Sequence, residues 1–136
     1  MKFYIDENLM PAIADSLTGI YRGHTFRTPQ QEHLLGLEDL ELFPDLAQRG
    51  FDCIITEDKA QLDRPAERAG LAEAGLHWVG ILKLRNVRGV AQLASQVSMV
   101  AGGLGWVIGD APEAPTAYRL KGPRTYDNLK PDAEPL

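Results

Sequence analysis

The chain alternates between short apolar runs and longer amphipathic stretches, a pattern typical of strands followed by helices. Four runs rich in β-branched and aromatic residues predict buried strands, at residues 2–6, 24–27, 51–56 and 77–82. Apolar residues at helical spacing predict helices over residues 11–17, 38–48, 65–74 and 90–101. Strands that alternate with helices form a mostly parallel sheet covered on both faces, so the predicted fold class is α/β.

The last part of the chain predicts a different arrangement. Glycines at 102, 103 and 105 predict a break after the last helix. Apolar residues on both sides of a proline-containing loop then predict a β-hairpin over residues 105–121. Residues 122–136 are polar and rich in proline, and they predict a flexible tail. We therefore expect one domain over residues 1–121, with its core at 1–101.

Composition narrows the function classes. The chain contains no apolar run near 18 residues, no signal-peptide pattern and one cysteine, so we expect a cytoplasmic protein without a membrane span or an internal disulfide. Its net charge of −5 argues against a protein that coats itself with nucleic acid. The charge is −7 over residues 1–58 and +2 over residues 59–136. This asymmetry fits a metal site flanked by phosphate-binding residues, and uneven surface charge explains it equally well.

Acidic and amide side chains directly follow two of the predicted strands. Asp6, Glu7 and Asn8 end the first strand, and Glu57 and Asp58 end the third. In an open parallel sheet, ligands bind outside the carboxyl ends of the strands. Carboxylates next to buried strands need compensating positive charge, which a hard divalent cation supplies. The pattern predicts a site for such a cation at this edge of the sheet.

Side-chain alternation ranks the acids at each strand end. Thr56 and Asp58 lie two residues apart and share a face, whereas Glu57 points the other way. Asp58 is therefore the predicted ligand, with Thr56 as a supporting hydroxyl. Asp6 is preferred to Glu7 because it terminates its strand. The capping of turns explains either acidic segment alone, and their joint presence favours the metal site.

The second predicted helix supplies a third acid, Asp39. The apolar stripe of this helix consists of Leu42, Phe43 and Leu46. Asp39 heads that stripe, so we expect its carboxylate to face the strand ends. Pro44 predicts a kink, or a start near Phe43 that would leave Asp39 in a loop, with Glu41 as the reserve ligand. The alternative role for Asp39 is that of the helix N-cap.

Together, these residues resemble the PIN-like domains, specifically a small family similar to the VapC-type toxins of toxin–antitoxin systems. The resemblance covers roughly residues 1–100. It rests on the segments 3–9, 54–58 and 64–68 and on the acidic opening of the helix near Asp39.

The resemblance implies a three-layer α/β/α fold, ribonuclease activity and a cognate antitoxin protein that blocks the site. It implies Mg²⁺ or Mn²⁺ held by Asp6, Asp39 and Asp58. The residues expected to support this site are Glu7, Asn8, Glu41 and Thr56. The residues expected to hold the phosphates of the RNA substrate are Lys59, Lys83, Arg85 and Arg88, although a solvated basic face explains each of them as well.

The rival hypothesis is a non-catalytic PIN-like module that binds nucleic acid or a partner protein. The net negative charge favours it, and so does the lack of an acid after the fourth strand, where Lys83 and Arg85 stand. The predicted hairpin, which carries Tyr118 and Arg119, is expected to form a homodimer edge, an antitoxin contact or an RNA contact, and the sequence leaves these three open.

Overall fold

The structure is a computed structural model that describes residues 1–110, 112–130 and 133. Five strands form one all-parallel sheet in the order β2-β1-β3-β4-β5. The strands are β1 (Lys2–Ile5), β2 (Thr25–Arg27), β3 (Cys53–Thr56), β4 (His77–Gly80) and β5 (Ala117–Arg119). The helices are α1 (Ile13–Ile20), α2 (Pro29–Glu32), α3 (Asp39–Gln48), α4 (Ala60–Asp63), α5 (Pro65–Glu73) and α6 (Gly89–Asp110), followed by a 3-10 helix at Tyr126–Leu129.

Strict alternation along the central strands builds two cores, one on each face of the sheet. Phe3, Ile5 and Ile55 belong to the core shared with α1 and α6. Tyr4 and Ile54 belong to the core shared with α3 and α5. Because all of these side chains are buried, helices cover both faces. The predicted α/β class and its three α/β/α layers are confirmed, with a sheet that is wholly parallel.

The strand order places a crevice at one edge of the sheet. The chain leaves β1 toward β2 on one side and continues from β3 to β4 and β5 on the other. Between β1 and β3, therefore, the connections diverge, and ligands of open α/β sheets bind at such a point, outside the carboxyl ends of the strands. Asp6 and Asp58 follow β1 and β3 at this edge.

Helix α3 begins at Asp39 and continues through Pro44 without a later restart. The predicted start near Phe43 is therefore wrong. Leu42, Phe43 and Leu46 are buried, as the apolar stripe predicts. Their burial outweighs the one backbone hydrogen bond that Pro44 cannot donate, and the ring of this proline lies on the exposed side.

The predicted C-terminal hairpin over 105–121 is wrong. Helix α6 runs through the glycine-rich segment to Asp110, and β5 joins the sheet parallel to β4. The glycines permit close packing here and do not end the helix: a Cβ on Gly103 would lie 2.8 Å from Cδ2 of Leu120. Burial of Leu104 and Val107 keeps the helix on the sheet.

In the expected flexible tail, the described residues include the 3-10 helix, and residues 131, 132 and 134–136 lie outside the described part of the chain. The predicted division into a domain over 1–121 and a tail stays a prediction. None of the helices in the described residues is long and apolar enough to cross a membrane.

Candidate metal centre

Three carboxylates from three elements meet at the carboxyl edge of the sheet. Asp39 opens α3, Asp58 follows β3, and Glu67 lies in the first turn of α5. One oxygen from each lies within 4.8 Å of the others. Such a spacing of anionic oxygens costs free energy unless a cation or a proton lies among them.

The Asp39 carboxyl is affected first by its burial and then by the neighbouring acids. Burial raises the pKa of its carboxyl to about 6, and the charges of Asp6 and Glu67 add to the rise, against a hydrogen bond from Gln61. The N-cap of α3 is Glu38, so capping does not explain the position of Asp39. The Gln61 amide donates to Oδ2 of Asp39 at 3.0 Å and holds the carboxylate at the cluster.

Asp58 is oriented by the backbone of the loop that contains it. Its Oδ1 accepts the Ala60 N–H at 2.9 Å, and its own N–H donates to Oγ1 of Thr56 at 2.9 Å. The predicted support of Asp58 by Thr56 is thus present as a hydrogen bond to the backbone. The other oxygen, Oδ2, lies 3.4 Å from Nη1 of Arg64.

Arg64 is a positively charged side chain of the protein that pairs with two of the clustered carboxylates. Its Nη1 lies 2.9 Å from Oε1 of Glu67 and bridges to Asp58. The guanidinium is 53% exposed, so these ion pairs are screened by water and contribute little stability. The site therefore attracts positive charge, and its pure carboxylate donor set fits Mg²⁺ or Mn²⁺.

Asp6 lies beside this cluster, buried to 5% exposure. Its oxygens accept the Thr56 hydroxyl at 2.6 Å, the Asn8 amide at 3.0 Å and the Glu7 N–H at 2.8 Å. Burial raises the pKa of this carboxyl, with smaller contributions from the charges of Glu7 and Asp58. Asp6 is thus held by the chain's own donors, and its role as a direct metal ligand stays a prediction.

The remaining predicted supporting residues differ in position. Asn8 donates to Thr56 at 3.0 Å and accepts the Glu57 N–H at 3.1 Å, so it joins the ends of β1 and β3. Glu7 is exposed and accepts the Gly36 N–H at 3.1 Å. Glu41 is exposed on α3 and lies outside the three-carboxylate cluster.

Glu67 is the cluster residue that was not among the predicted ligands. It does stand in a segment of the family resemblance, three residues after Arg64 and in the first turn of a helix that opens with Pro65. Nothing in that local pattern indicates that α5 packs on α3, and this packing is what brings Glu67 to Asp39.

Glu57 points to the opposite helical layer from Asp58. The Gln96 amide of α6 donates to Oε1 of Glu57. The amide oxygen of Gln96 accepts the Met10 N–H at 3.0 Å. Burial raises the pKa of Glu57, while Gln96 and the charge of Lys83 oppose the rise. The two consecutive acids after β3 therefore lie in different environments: Glu57 contacts α6, and Asp58 belongs to the acidic cluster.

A groove of about 800 Å³ extends from the acidic cluster across the ends of β3, β4 and β5. Lys59, Lys83 and Arg85 line it together with Asn8 and Asp58. A neighbouring cavity of about 790 Å³ is lined by Lys83, Arg85, Arg88 and Arg124. The structure adds Arg119 and Arg124 to the predicted basic residues.

These basic side chains carry positive charge that the chain does not neutralise locally. Within the described ranges, no ion pair involves any of the six lysines and arginines of the two cavities. Lys59, Lys83, Arg85 and Arg119 share the groove with Asp58, a position suited to contacts with a phosphate backbone.

Comparison with known proteins adds one match. A family model described as "PIN like domain" matches residues 1–83. Neither the search of curated proteins nor the search of solved structures found a match. The matched range contains the three clustered carboxylates and Asp6, and it ends at Lys83. Arg85, Arg88, Arg119 and Arg124 lie beyond it.

Proposed function

The chain belongs to the PIN-like domain family, and from this premise we propose that it is a divalent-metal-dependent endoribonuclease. PIN-like domains are typically metal-dependent nucleases. The observation that carries the proposal is the convergence of Asp39, Asp58 and Glu67, with oxygens within 4.8 Å, at the edge where α/β sheets bind ligands.

Asp39, Asp58 and Glu67 would hold the metal, and Asp6 would support it directly or through a water. A bound Mg²⁺ or Mn²⁺ supplies charge neutralisation at a phosphodiester and lowers the pKa of a coordinated water. The protein's own contribution is a preset arrangement of the carboxylates. Gln61 holds Asp39, the Ala60 N–H holds Asp58, and Thr56 ties Asp6 to the end of β3.

The basic groove would bind the RNA on one side of the cleavage point. Lys59, Lys83 and Arg85 lie along the same cavity as Asp58, so a backbone bound there passes the acids. Arg64 would be available for a further phosphate if a bound metal compensated the charges of Asp58 and Glu67. The net charge of −5 is compatible with this role because the positive side chains are concentrated around one site.

We further propose that the protein is the toxin of a type II toxin–antitoxin system, with a cognate antitoxin protein that blocks the groove. The support is the resemblance of the segments around Asp6, Asp39 and Asp58 to VapC-type toxins. Induced expression of the wild-type chain should arrest growth, and Asp58→Asn should relieve the arrest at equal protein level. Continued growth with the folded wild-type chain would contradict the toxin role.

The nuclease itself is tested on a mixed cellular RNA pool with Mg²⁺, Mn²⁺ or EDTA. We expect discrete cuts that need metal and that Asp58→Asn abolishes. Absence of cuts with either metal, from folded protein free of any bound partner, would contradict the proposal.

A specific observation favours a second candidate, a non-catalytic PIN-like binding module. Arg64 pairs with both Asp58 and Glu67, and the Asp6 carboxylate already accepts three hydrogen bonds, so the chain's own groups compensate part of the acidic charge. This module would bind RNA with equal affinity in EDTA and in Mn²⁺ and would leave it uncut.

A further inference from the structure

A separate cavity of about 360 Å³ lies on the α6 side of the β3 end. Its polar lining includes Glu57, Lys83, Arg85 and Gln96, and its apolar lining includes Leu84, Val87 and Met99. Ser95 and Gln96 are both buried, at 1% and 2% exposure, on the helical face that otherwise packs apolar residues on the sheet. The cavity is large enough for a planar heterocycle and offers it both polar and apolar contacts.

Glu57 is positioned in this cavity by a buried partner. Gln96 donates to Oε1 of Glu57, and Gln96 is itself held by the Met10 N–H at 3.0 Å. Among the described residues, no hydrogen bond is made to Oε2 of Glu57. A carboxylate offers about four lone-pair sites, so Glu57 retains acceptor capacity toward a ligand.

This cavity adjoins the groove of the acidic cluster. Glu57, Lys83 and Arg85 line both spaces. The Cα atoms of Glu57 and Asp58 are consecutive and so lie about 3.8 Å apart, while their side chains point to opposite sides. A nucleotide whose phosphate lies on Lys83 and Arg85 can therefore place its base against Glu57 while the neighbouring phosphate approaches Asp58.

We propose that this cavity binds an unpaired guanine of the RNA next to the cleavage point. The inference rests on the proposed function for its substrate class. Guanine presents two adjacent donors, N1–H and the 2-amino group, on its Watson–Crick edge, and these match a carboxylate. Adenine, cytosine and uracil each present one donor group on that edge. The faces of the ring would pack on Leu84, Val87 and Met99, and unpaired bases are the ones that proteins read along this edge.

The test is a binding measurement that does not require cleavage. Asp58→Asn protein in EDTA is titrated with labelled uridine octamers in which the fourth nucleoside is guanosine, adenosine, cytidine or inosine, and fluorescence anisotropy is recorded. A bidentate contact of this kind discriminates by about tenfold or more. We expect the guanine octamer to bind at least about tenfold tighter than the adenine octamer. Inosine, which lacks the 2-amino group, should bind at an intermediate strength.

The deciding variant is Glu57→Gln in the same background. The amide oxygen of the new glutamine still accepts a hydrogen bond from Gln96, so the cavity keeps its structure. The second oxygen acceptor is lost. We expect the ratio of the Kd for the adenine octamer to the Kd for the guanine octamer to fall to about one. Glu73→Gln, an exposed change on α5, should leave this ratio unchanged. Equal binding of all octamers by the Glu57-containing protein, or a guanine preference that survives Glu57→Gln, would overturn the inference.

The two proposals fail separately. A guanine preference in binding without cleavage by the wild-type protein in Mn²⁺ would contradict the nuclease and support the guanine site. Metal-dependent cleavage at sites without any base preference would support the nuclease and overturn the guanine site.

Discussion

The indole N–H of Trp78 donates to Oε1 of Gln61 at 3.0 Å, and this bond determines which end of the Gln61 amide meets Asp39. Indole is a donor only, so the amide oxygen must face Trp78 and the amide N–H₂ must face the carboxylate. Trp78 and Gln61 are both buried. A residue in the middle of β4 thereby orients a carboxylate at the edge of the sheet.

Replacement of Gln61 tests this relay. Gln61→Leu leaves the buried Trp78 N–H without an acceptor and Asp39 without its donor. We expect the free energy of unfolding to fall by about 1 to 3 kcal/mol, the cost of an unsatisfied buried polar group. Urea unfolding measures it, with Gln48→Leu at the exposed end of α3 as the control. Equal stability of the two variants would show that the relay is unimportant.

The Thr56 hydroxyl is the junction between the ends of β1 and β3. It donates to Asp6 and accepts from the Asn8 amide and the Asp58 N–H. Thr56→Val keeps the shape and removes the hydroxyl, so we expect a loss of about 1 to 3 kcal/mol in unfolding free energy. Thr56→Ser keeps the hydroxyl, so its free energy of unfolding should fall by less. If the serine variant unfolds as easily as the valine variant in thermal melts, the hydrogen bonds do not stabilise the junction.

The raised pKa of Asp39 predicts a dependence of stability on pH. Its folded-state pKa is about 6 against 3.8 for an unperturbed aspartate, so folding favours the protonated carboxyl. The resulting stabilisation is full below about pH 4 and is lost as the pH rises through about 6. Asp39→Asn removes this dependence and retains an acceptor for Gln61.

Relative to wild type, Asp39→Asn should therefore gain about 1 to 2 kcal/mol in unfolding free energy between about pH 4 and pH 8, since the partly exposed carboxyl is screened by water. Chemical unfolding of both proteins across this range measures the difference. A difference that stays constant with pH, or that changes in the other direction, would contradict the assignment.

Metal binding should depend on Glu67 as strongly as on Asp58. Loss of a residue that only supports a ligand costs roughly tenfold to a hundredfold in metal affinity, and loss of a direct ligand costs no less. We expect Glu67→Gln to weaken Mn²⁺ binding by at least about tenfold in calorimetry. Glu73→Gln, on the exposed side of the same helix, should bind Mn²⁺ as wild type does. Unchanged affinity in Glu67→Gln would remove Glu67 from the site.

Alternation and helical periodicity predicted much of this arrangement because both are local properties. The two-residue repeat separates Thr56 and Asp58 from Glu57, and the structure directs Asp58 to the acidic cluster and Glu57 to Gln96. The apolar stripe of α3 placed Asp39 at the buried end of its helix, although Pro44 favoured an interruption.

Features that depend on contacts between distant segments could not be predicted in this way. Glu67 reaches Asp39 only because α5 packs on α3, and the sequence around Glu67 does not record that packing. A glycine in a sequence can serve a turn or a close packing contact. Only the position of Leu120 in the structure shows that Gly103 serves a contact. Arg119 lines the groove because β5 adds to the sheet as a parallel edge strand, and Arg124, which follows β5, lines the neighbouring cavity.

The central claim is that the three clustered carboxylates form the metal site of a ribonuclease. The most direct test is cleavage of one labelled RNA by wild type, Glu67→Gln and Glu73→Gln at increasing Mn²⁺ concentration, with EDTA as the reference. We predict metal-dependent cuts shared by wild type and Glu73→Gln, and at least about tenfold slower cleavage by Glu67→Gln at low Mn²⁺, because removing one ligand weakens metal binding. Cleavage that persists in EDTA, or that Glu67→Gln performs as fast as wild type, would contradict the claim.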